Sequence, residues 1–138
     1  MSSIINSNVT KIVIYTFYNT GTYFYRNSGK GRGNFGFFKS YNQGQPQPSI
    51  ETQLKACRKY AKSNNLTVVG EYIDEAPWER KERSQYNKMM DERAVTQFQN
   101  ILVSGPGRLY TNPISFKLHA EALQEQGISV LTVKANTY

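Results

Sequence analysis

The chain has 138 residues, a mass of 15.8 kDa and a formal net charge of +7, which is the size of one domain. Hydrophobic residues make up 38% of it, and no apolar run approaches the roughly 20 residues that span a bilayer, so we expect no transmembrane helix and no secretory signal. The single cysteine, Cys57, excludes an internal disulfide and a Cys-rich zinc site, and predicts a reducing cytoplasm as the compartment.

The first predicted element is a buried strand over residues 11–18, KIVIYTFY, because β-branched and aromatic residues dominate it. Residues 19–48 then hold six of the ten glycines, interleaved with aromatic residues. We interpret this stretch as an inserted loop, with a possible hairpin of residues 22–26 against 35–39. A loop of this length in a compact domain is usually functional or disordered.

From residue 49 the pattern becomes regular. It predicts helices over 49–63, 84–98 and 113–126, and strands over 66–73, 101–103 and 128–133. Ser49 is expected to cap the first of these helices. The residues expected to face inward include Ile50, Leu54, Cys57 and Ala61 of the first helix, Tyr86, Met89, Met90 and Phe98 of the second, and Ile114, Leu118, Ala122 and Leu123 of the third. Strands alternating with helices predict an α/β domain with a four-stranded, mainly parallel sheet and ligands at the carboxyl ends of its strands.

The positive charge is concentrated in the first half of the chain. Residues 1–70 hold nine Lys and Arg against one acid, a net charge of +8, whereas residues 71–138 hold eight against nine, a net charge of −1. A one-sided basic patch is typical of nucleic-acid binding, because each phosphate contact releases counterions. We therefore expect DNA contacts from the cations of the inserted loop, which are Arg26, Lys30, Arg32 and Lys39. The alternative is a packed hairpin whose cations face water.

Other candidate groups follow the predicted strands. Arg108 comes after the third strand and has the planar fork that suits a phosphate, although a turn with a solvated arginine is the alternative. We interpret Asp74 and Glu75 as a polar strand exit rather than an acid pair. His119 is interpreted as a surface or packed helical residue, and no metal ligand set is predicted.

Five segments occur in an order that resembles the serine recombinase family, the resolvases, invertases and large serine integrases. They are KIVIY near the start, SIETQLKACRKYAKSNNLTVVGEYIDE from residue 49, RSQYNKMMDE from 83, ILVSGPGRLYTN from 101 and EALQEQGISVLTV from 121. The resemblance implies a single resolvase-like three-layer domain over residues 1–138, with strand order 2-1-3-4 and residues 19–48 inserted. Family members carry a C-terminal DNA-binding domain next, and because this sequence stops after the fourth predicted strand, we expect none in this chain.

The resemblance implies a chemistry as well. In this family a serine hydroxyl attacks a DNA phosphodiester to form a phosphoserine link, arginines stabilise the developing charge, and no metal or other cofactor takes part. Implied partners are DNA and further recombinase subunits, in a homo-oligomer or a hetero-oligomer. The implied role is DNA recombination or integration by a mobile element.

Several positions depart from the family pattern. The family carries Tyr-x-Arg-x-Ser at the end of its first strand, which places Phe17 at the arginine and Asn19 at the nucleophile. Spacing from Ser49 favours Ser40 as the nucleophile instead, and the two alignments stay open. Arg83 and Arg108 match family arginines, and with Ser40 they are the predicted catalytic residues.

Two further positions lack the family residue. Gly107 stands where the family has aspartate, and Thr111 where it has a second arginine. Because lost phosphate contacts cost several kcal/mol of transition-state stabilisation, we expect weakened or lost catalysis. The alternatives are a non-enzymatic nucleic-acid-binding module and a regulatory partner of an active recombinase.

Overall fold

The computed structural model describes residues 9–21, 47–77, 83–110 and 113–134. Within these ranges lie four strands and four α-helices. In chain order they are β1 (Lys11–Asn19), α1 (Ile50–Ser63), β2 (Thr67–Ala76), α2 (Ser84–Asp91), α3 (Arg93–Thr96), β3 (Asn100–Val103), α4 (Pro113–Glu125) and β4 (Ser129–Thr132). A short 3₁₀ helix, Pro106–Arg108, follows β3.

The four strands form one parallel sheet in the order β2-β1-β3-β4, which confirms the predicted topology. Strand β1 is central, with Val13 beside Gly70 of β2 and Ile101 of β3. A continuous apolar run suits this place, because a central parallel strand is covered on both faces.

Alternate side chains of β1 enter different cores. Val13, Tyr15 and Phe17 join the cluster that contains Met89 of α2 and Leu123 of α4. Ile12 and Ile14 join the other cluster, on the opposite face, with Leu54, Cys57 and Ala61 of α1. The period of two along a strand therefore separates α1 from α2 and α4, and the sheet is the middle of three layers.

The predicted ends of α1 and α4 are confirmed. The Ser49 hydroxyl accepts a hydrogen bond from the Thr52 amide at 3.1 Å and caps α1. Asn65 follows α1 with φ of 57°, and Gly127 follows α4 with φ of 81°. Both residues adopt the left-handed conformation that ends a helix.

The predicted helix over 84–98 is wrong in its second half. Helix α2 ends at Asp91, α3 covers only Arg93–Thr96, and Gln97 turns left-handed with φ of 55°. Phe98 is fully buried, as expected, but it lies in the connection to β3 rather than in a helix. A left-handed residue cannot continue a right-handed helix, so the chain leaves α3 there.

The predicted inward face of α4 is also wrong for most of its members. Ile114 is 73% exposed, Leu118 is 62% exposed and Ala122 is exposed, whereas Leu123 is buried. Phe116 packs against the core together with Leu123. At roughly 100° per residue, Leu118 lies about 200° around the helix from Phe116, so the two cannot share a face.

Within the described ranges, no helix has the length and apolar character needed to cross a membrane.

Candidate functional site at the end of the first strand

The carboxyl end of β1 lies between two arginine-bearing connections. Arg83 immediately precedes α2, in the connection from β2, and Arg108 ends the 3₁₀ helix that follows β3. Because β2 and β3 flank β1 in a parallel sheet, both connections leave the sheet at the edge where β1 ends. The topology therefore brings two cations from distant parts of the sequence to one place.

Arg108 is bound to the backbone at the end of β1. Its Nη1 donates to the Phe17 carbonyl oxygen at 3.2 Å and to Gln47 Oε1 at 3.1 Å. The residue is only 6% exposed. The two hydrogen bonds that this nearly buried guanidinium donates hold its charge beside the last residues of β1.

The Gln47 side chain forms two hydrogen bonds with the backbone of Asn19, the last residue of β1. Its Oε1 accepts from the Asn19 amide at 2.9 Å, and its Nε2 donates to the Asn19 carbonyl oxygen at 3.0 Å. The Asn19 side chain accepts from the Gly21 amide at 3.0 Å. Hydrogen bonds to its backbone and its side chain therefore fix Asn19 at the end of β1, and its side-chain carboxamide has no nucleophilic hydroxyl.

Gln53 of α1 also binds this segment. Its Nε2 donates to the carbonyl oxygens of Phe17 and Pro48, both at 3.2 Å. The Phe17 carbonyl therefore accepts from α1 and from Arg108, and these bonds fix the position of the strand end.

Arg83 contacts side chains of the same strand. Its Nη1 donates to the Tyr15 hydroxyl at 3.2 Å, and its guanidinium carbon lies 4.8 Å from the centre of the Phe17 ring. The Tyr110 ring centre lies 5.4 Å away. Arg83 thus meets the ring of Phe17 while Arg108 meets its carbonyl oxygen, so both cations contact one residue.

Asp74 supports this arrangement from β2. Its Oδ2 accepts from the Tyr15 hydroxyl at 2.8 Å and from the Tyr86 amide at 3.0 Å, and its Oδ1 accepts from the Gln85 amide at 2.9 Å. The buried carboxylate therefore caps the N-terminus of α2 and links it to β1. Burial raises the pKa of Tyr15, and Asp74 raises it further against the opposing effect of Arg83, so this phenol is neutral at neutral pH.

A second polar contact lies between α2 and α4. The Tyr86 hydroxyl and His119 Nε2 are 2.7 Å apart, and the Tyr110 and His119 rings are 4.7 Å apart between centres. Burial raises the pKa of Tyr86 to about 12, whereas burial and then the Arg83 charge lower the pKa of His119. His119 is therefore a packed helical residue, one of the two interpretations that its sequence context allowed.

The predicted site residues divide into two groups. Arg83 and Arg108 both contact Phe17 near the end of β1, and Asn19 is the last residue of that strand. The remaining candidates, Ser40, Arg26, Lys30, Arg32 and Lys39, lie outside the described residues together with the predicted hairpin. The catalytic roles of Ser40, Arg83 and Arg108, and the DNA contacts of the loop, stay predictions.

Sequence reasoning missed Gln47 and Tyr15 and undervalued Asp74. The sequence pattern indicates a polar strand exit for Asp74, yet the residue is 5% exposed and accepts three hydrogen bonds. A helix that begins soon after the carboxyl end of a parallel strand needs acceptors for its first amides, and this signal could have singled out Asp74. Among the residues that the structure describes, no three His, Cys, Asp or Glu side chains are grouped as a metal ion requires.

Comparison with known protein families gives a match over most of the chain. The family model described as Resolvase, N terminal domain, matches residues 40–138, which are 99 of the 138 residues. The chain belongs to the resolvase N-terminal domain family. This confirms the predicted serine recombinase family and makes the chain a domain related to site-specific recombination. The matched segment contains Arg83 and Arg108 and begins at Ser40, after β1.

Two solved structures share the fold of this resolvase-type domain. One is the C-terminal catalytic domain of ISC1926 TnpA, an IS607-like serine recombinase, with a TM-score of 0.60 and 17% identity over 91% of this chain and 72% of that chain. The other is the N-terminal catalytic domain of TP901-1 integrase, with a TM-score of 0.61 and 18% identity over 90% of this chain and 77% of that chain. No curated protein sequence matches the chain.

Proposed function

We propose that this resolvase-type domain binds DNA phosphates in site-specific recombination and that its own strand cleavage is weak or lost. The observation that carries the proposal lies at the end of β1. There Arg108 binds the Phe17 carbonyl oxygen, Arg83 contacts the Phe17 ring, and Asn19 is the last residue of the strand. Guanidinium groups suit phosphate oxygens, which they bind through paired N–H donors. An asparagine amide, in contrast, cannot form the phosphoserine link of the family.

Cleavage is tested by covalent trapping on a nicked suicide DNA substrate, followed by denaturing gel electrophoresis. The wild-type protein is expected to give little or no protein–DNA adduct. Ser40→Ala is the decisive variant, and Ser63→Ala, at the exposed end of α1, is its matched control. A strong wild-type adduct that Ser40→Ala abolishes and Ser63→Ala retains contradicts the proposed loss of cleavage and assigns the nucleophile to Ser40.

The alternative alignment is tested at the end of β1. Phe17→Arg combined with Asn19→Ser restores the cation and the hydroxyl that the family pattern places there. If the end of β1 is the ancestral nucleophile position, this double variant forms more adduct than the wild type. An adduct that stays at the wild-type level argues against that alignment.

DNA contact by the loop is tested by gel shifts at several salt concentrations. Replacing Lys30, Arg32 and Lys39 with Gln removes three positive charges and is expected to reduce the slope of log affinity against log salt by up to about 3. The matched control replaces the exposed Lys55, Lys59 and Lys62 of α1, which carry the same total charge. An unchanged slope in the loop variant excludes the loop as the contact surface.

The same experiments separate the other interpretations. DNA binding without any adduct in either assay favours a non-enzymatic nucleic-acid-binding module. Absence of DNA binding at low salt favours a regulatory subunit that pairs with an active recombinase, in a homo- or hetero-oligomer. A cytoplasmic location stays a prediction from the single cysteine.

A further inference from the structure

Three aromatic rings surround the Arg83 guanidinium. Its central carbon lies 4.8 Å from the ring centre of Phe17, 5.4 Å from that of Tyr110 and 5.9 Å from that of Tyr15. All three distances are within the range in which a cation is attracted to an aromatic face. Tyr15 is fully buried and Phe17 is 2% exposed, so two of the three rings are held rigidly by the core.

Ring contacts orient a guanidinium differently from an acidic partner. A carboxylate accepts paired hydrogen bonds from the guanidinium N–H groups and neutralises its charge. An aromatic face attracts the cation without forming these paired hydrogen bonds. The Asp74 carboxylate accepts from the Tyr15 hydroxyl and from the amides of Gln85 and Tyr86. The same Tyr15 hydroxyl accepts from Arg83 Nη1, so Tyr15 contacts both Asp74 and Arg83.

Phe17 serves the two arginines through different atoms. Its backbone carbonyl accepts from Arg108, and any residue at this position supplies that oxygen. Its ring faces Arg83, and only an aromatic residue supplies that face. Of the two arginines, Arg83 is therefore the one whose position depends on the Phe17 ring, which also packs in the core.

We propose that Phe17, assisted by Tyr110, is a positioning residue that holds the Arg83 guanidinium by cation–π contact at the end of β1, where it meets a DNA phosphate. The choice of phosphate as the ligand rests on the proposed function. The aromatic contact itself does not, and it can be measured without DNA.

The contact is tested first by NMR on the DNA-free protein, with the Arg83 side-chain Nε–Hε resonance assigned by its loss in Arg83→Lys. Phe17→Leu is expected to move this resonance towards the position of a solvated arginine, and Phe17→Tyr, which keeps a ring face, to restore it. The matched control is Phe98→Leu, because the fully buried Phe98 ring lies 5.4 Å from the Arg93 guanidinium elsewhere in the fold. That variant should move the Arg93 resonance and leave that of Arg83 in place.

A second readout does not depend on the stability of Phe17→Leu. In the wild-type protein, the ring protons of Phe17 should show cross-relaxation with the side-chain protons of Arg83. Tyr110→Leu removes a ring that is only partly buried, and it should shift the Arg83 resonance in the same direction as Phe17→Leu. An Arg83 resonance that ignores both substitutions, together with no cross-relaxation, overturns the proposal.

DNA binding then shows whether the positioned cation meets phosphate. Phe17→Leu is expected to weaken binding roughly 3- to 10-fold, and Arg83→Gln at least as much. The double variant should bind no more weakly than Arg83→Gln alone, because the ring acts through Arg83. Fully additive losses overturn the positioning role. A different outcome separates the two claims. If Arg83→Gln binds DNA as the wild type does, while Phe17→Leu still moves the Arg83 resonance, the phosphate contact of the proposed function is refuted and the aromatic contact is upheld.

Discussion

Replacing Asp74 with alanine removes a carboxylate that joins three parts of the fold. Asp74 belongs to β2, and it accepts from the Tyr15 hydroxyl of β1 and from the amides of Gln85 and Tyr86 at the start of α2. The residue is 5% exposed, so water cannot replace it freely. Alanine therefore leaves one buried hydroxyl and two helix-terminal amides without this acceptor.

The magnitude follows from these three bonds. A hydrogen bond to a charged group contributes about 1.5–3 kcal/mol, and bonds that share one carboxylate are not additive. We therefore expect Asp74→Ala to lower the free energy of unfolding by about 3–5 kcal/mol, within the range for breaking a buried charged network. This is a large part of the roughly 5–15 kcal/mol that stabilises a domain.

Urea unfolding followed by far-ultraviolet circular dichroism measures the change. Glu75→Ala is the matched control, because Glu75 is the adjacent acid of β2 and is exposed. It should change the free energy of unfolding by no more than about 0.5 kcal/mol. A loss of less than about 1 kcal/mol in Asp74→Ala, or equal losses in the two variants, refutes the reasoning.

Three further predictions concern single residues outside this network. Burial, reinforced by Arg83, lowers the pKa of His119, so the unfolded chain binds a proton first as the pH falls. The contribution of His119 to the free energy of unfolding should therefore be complete above the unfolded pKa of about 6.5 and decline below it. Urea unfolding at about pH 7.5 and 5.5 should show a smaller decline in His119→Gln than in the wild type. An equal decline in the wild type and in His119→Gln contradicts the lowered pKa of His119. Burial raises the pKa of the Cys57 thiol to about 12, so a thiol reagent at neutral pH should label the native protein slowly and the urea-unfolded protein fast. Rapid labelling of the native protein contradicts a buried Cys57 thiol with a raised pKa. Gly127 has φ of 81° and open space where a Cβ would lie, so Gly127→Ala should cost about 1 kcal/mol through backbone conformation alone, and an unchanged melting temperature argues against it.

The strands and most helices could be predicted because each produces a local pattern. KIVIYTFY is an unbroken apolar run, and it forms the central strand, where both faces are covered. The inward face of α1 follows from its regular spacing and its serine cap. Helix α4 has apolar residues on more than one face, so periodicity alone could not decide that Leu123 is buried and Ile114 exposed.

The two cations of the candidate site could be predicted only through the family resemblance. No local pattern connects Arg83 with Arg108, since they lie in different connections of the sheet. The bond between Gln47 and Asn19 joins residues 28 positions apart, and that between Tyr15 and Asp74 joins residues 59 positions apart. Pairs so far apart in the sequence can be recognised only after the chain has folded and the segments that hold them lie side by side.

The sequence by itself determined the α/β class, the parallel order of the sheet and the family, because apolar periodicity and motif order are properties of the chain read along its length. Only the tertiary structure decided which groups meet at the end of β1. In β2, alternation turns Asp74 inward and Glu75 outward, although the two acids are adjacent and chemically alike. Phe17 became the residue that both arginines contact because its carbonyl and its ring point to different neighbours across a folded sheet. Contacts of this kind depend on how separate segments pack, and packing is a property of the whole chain.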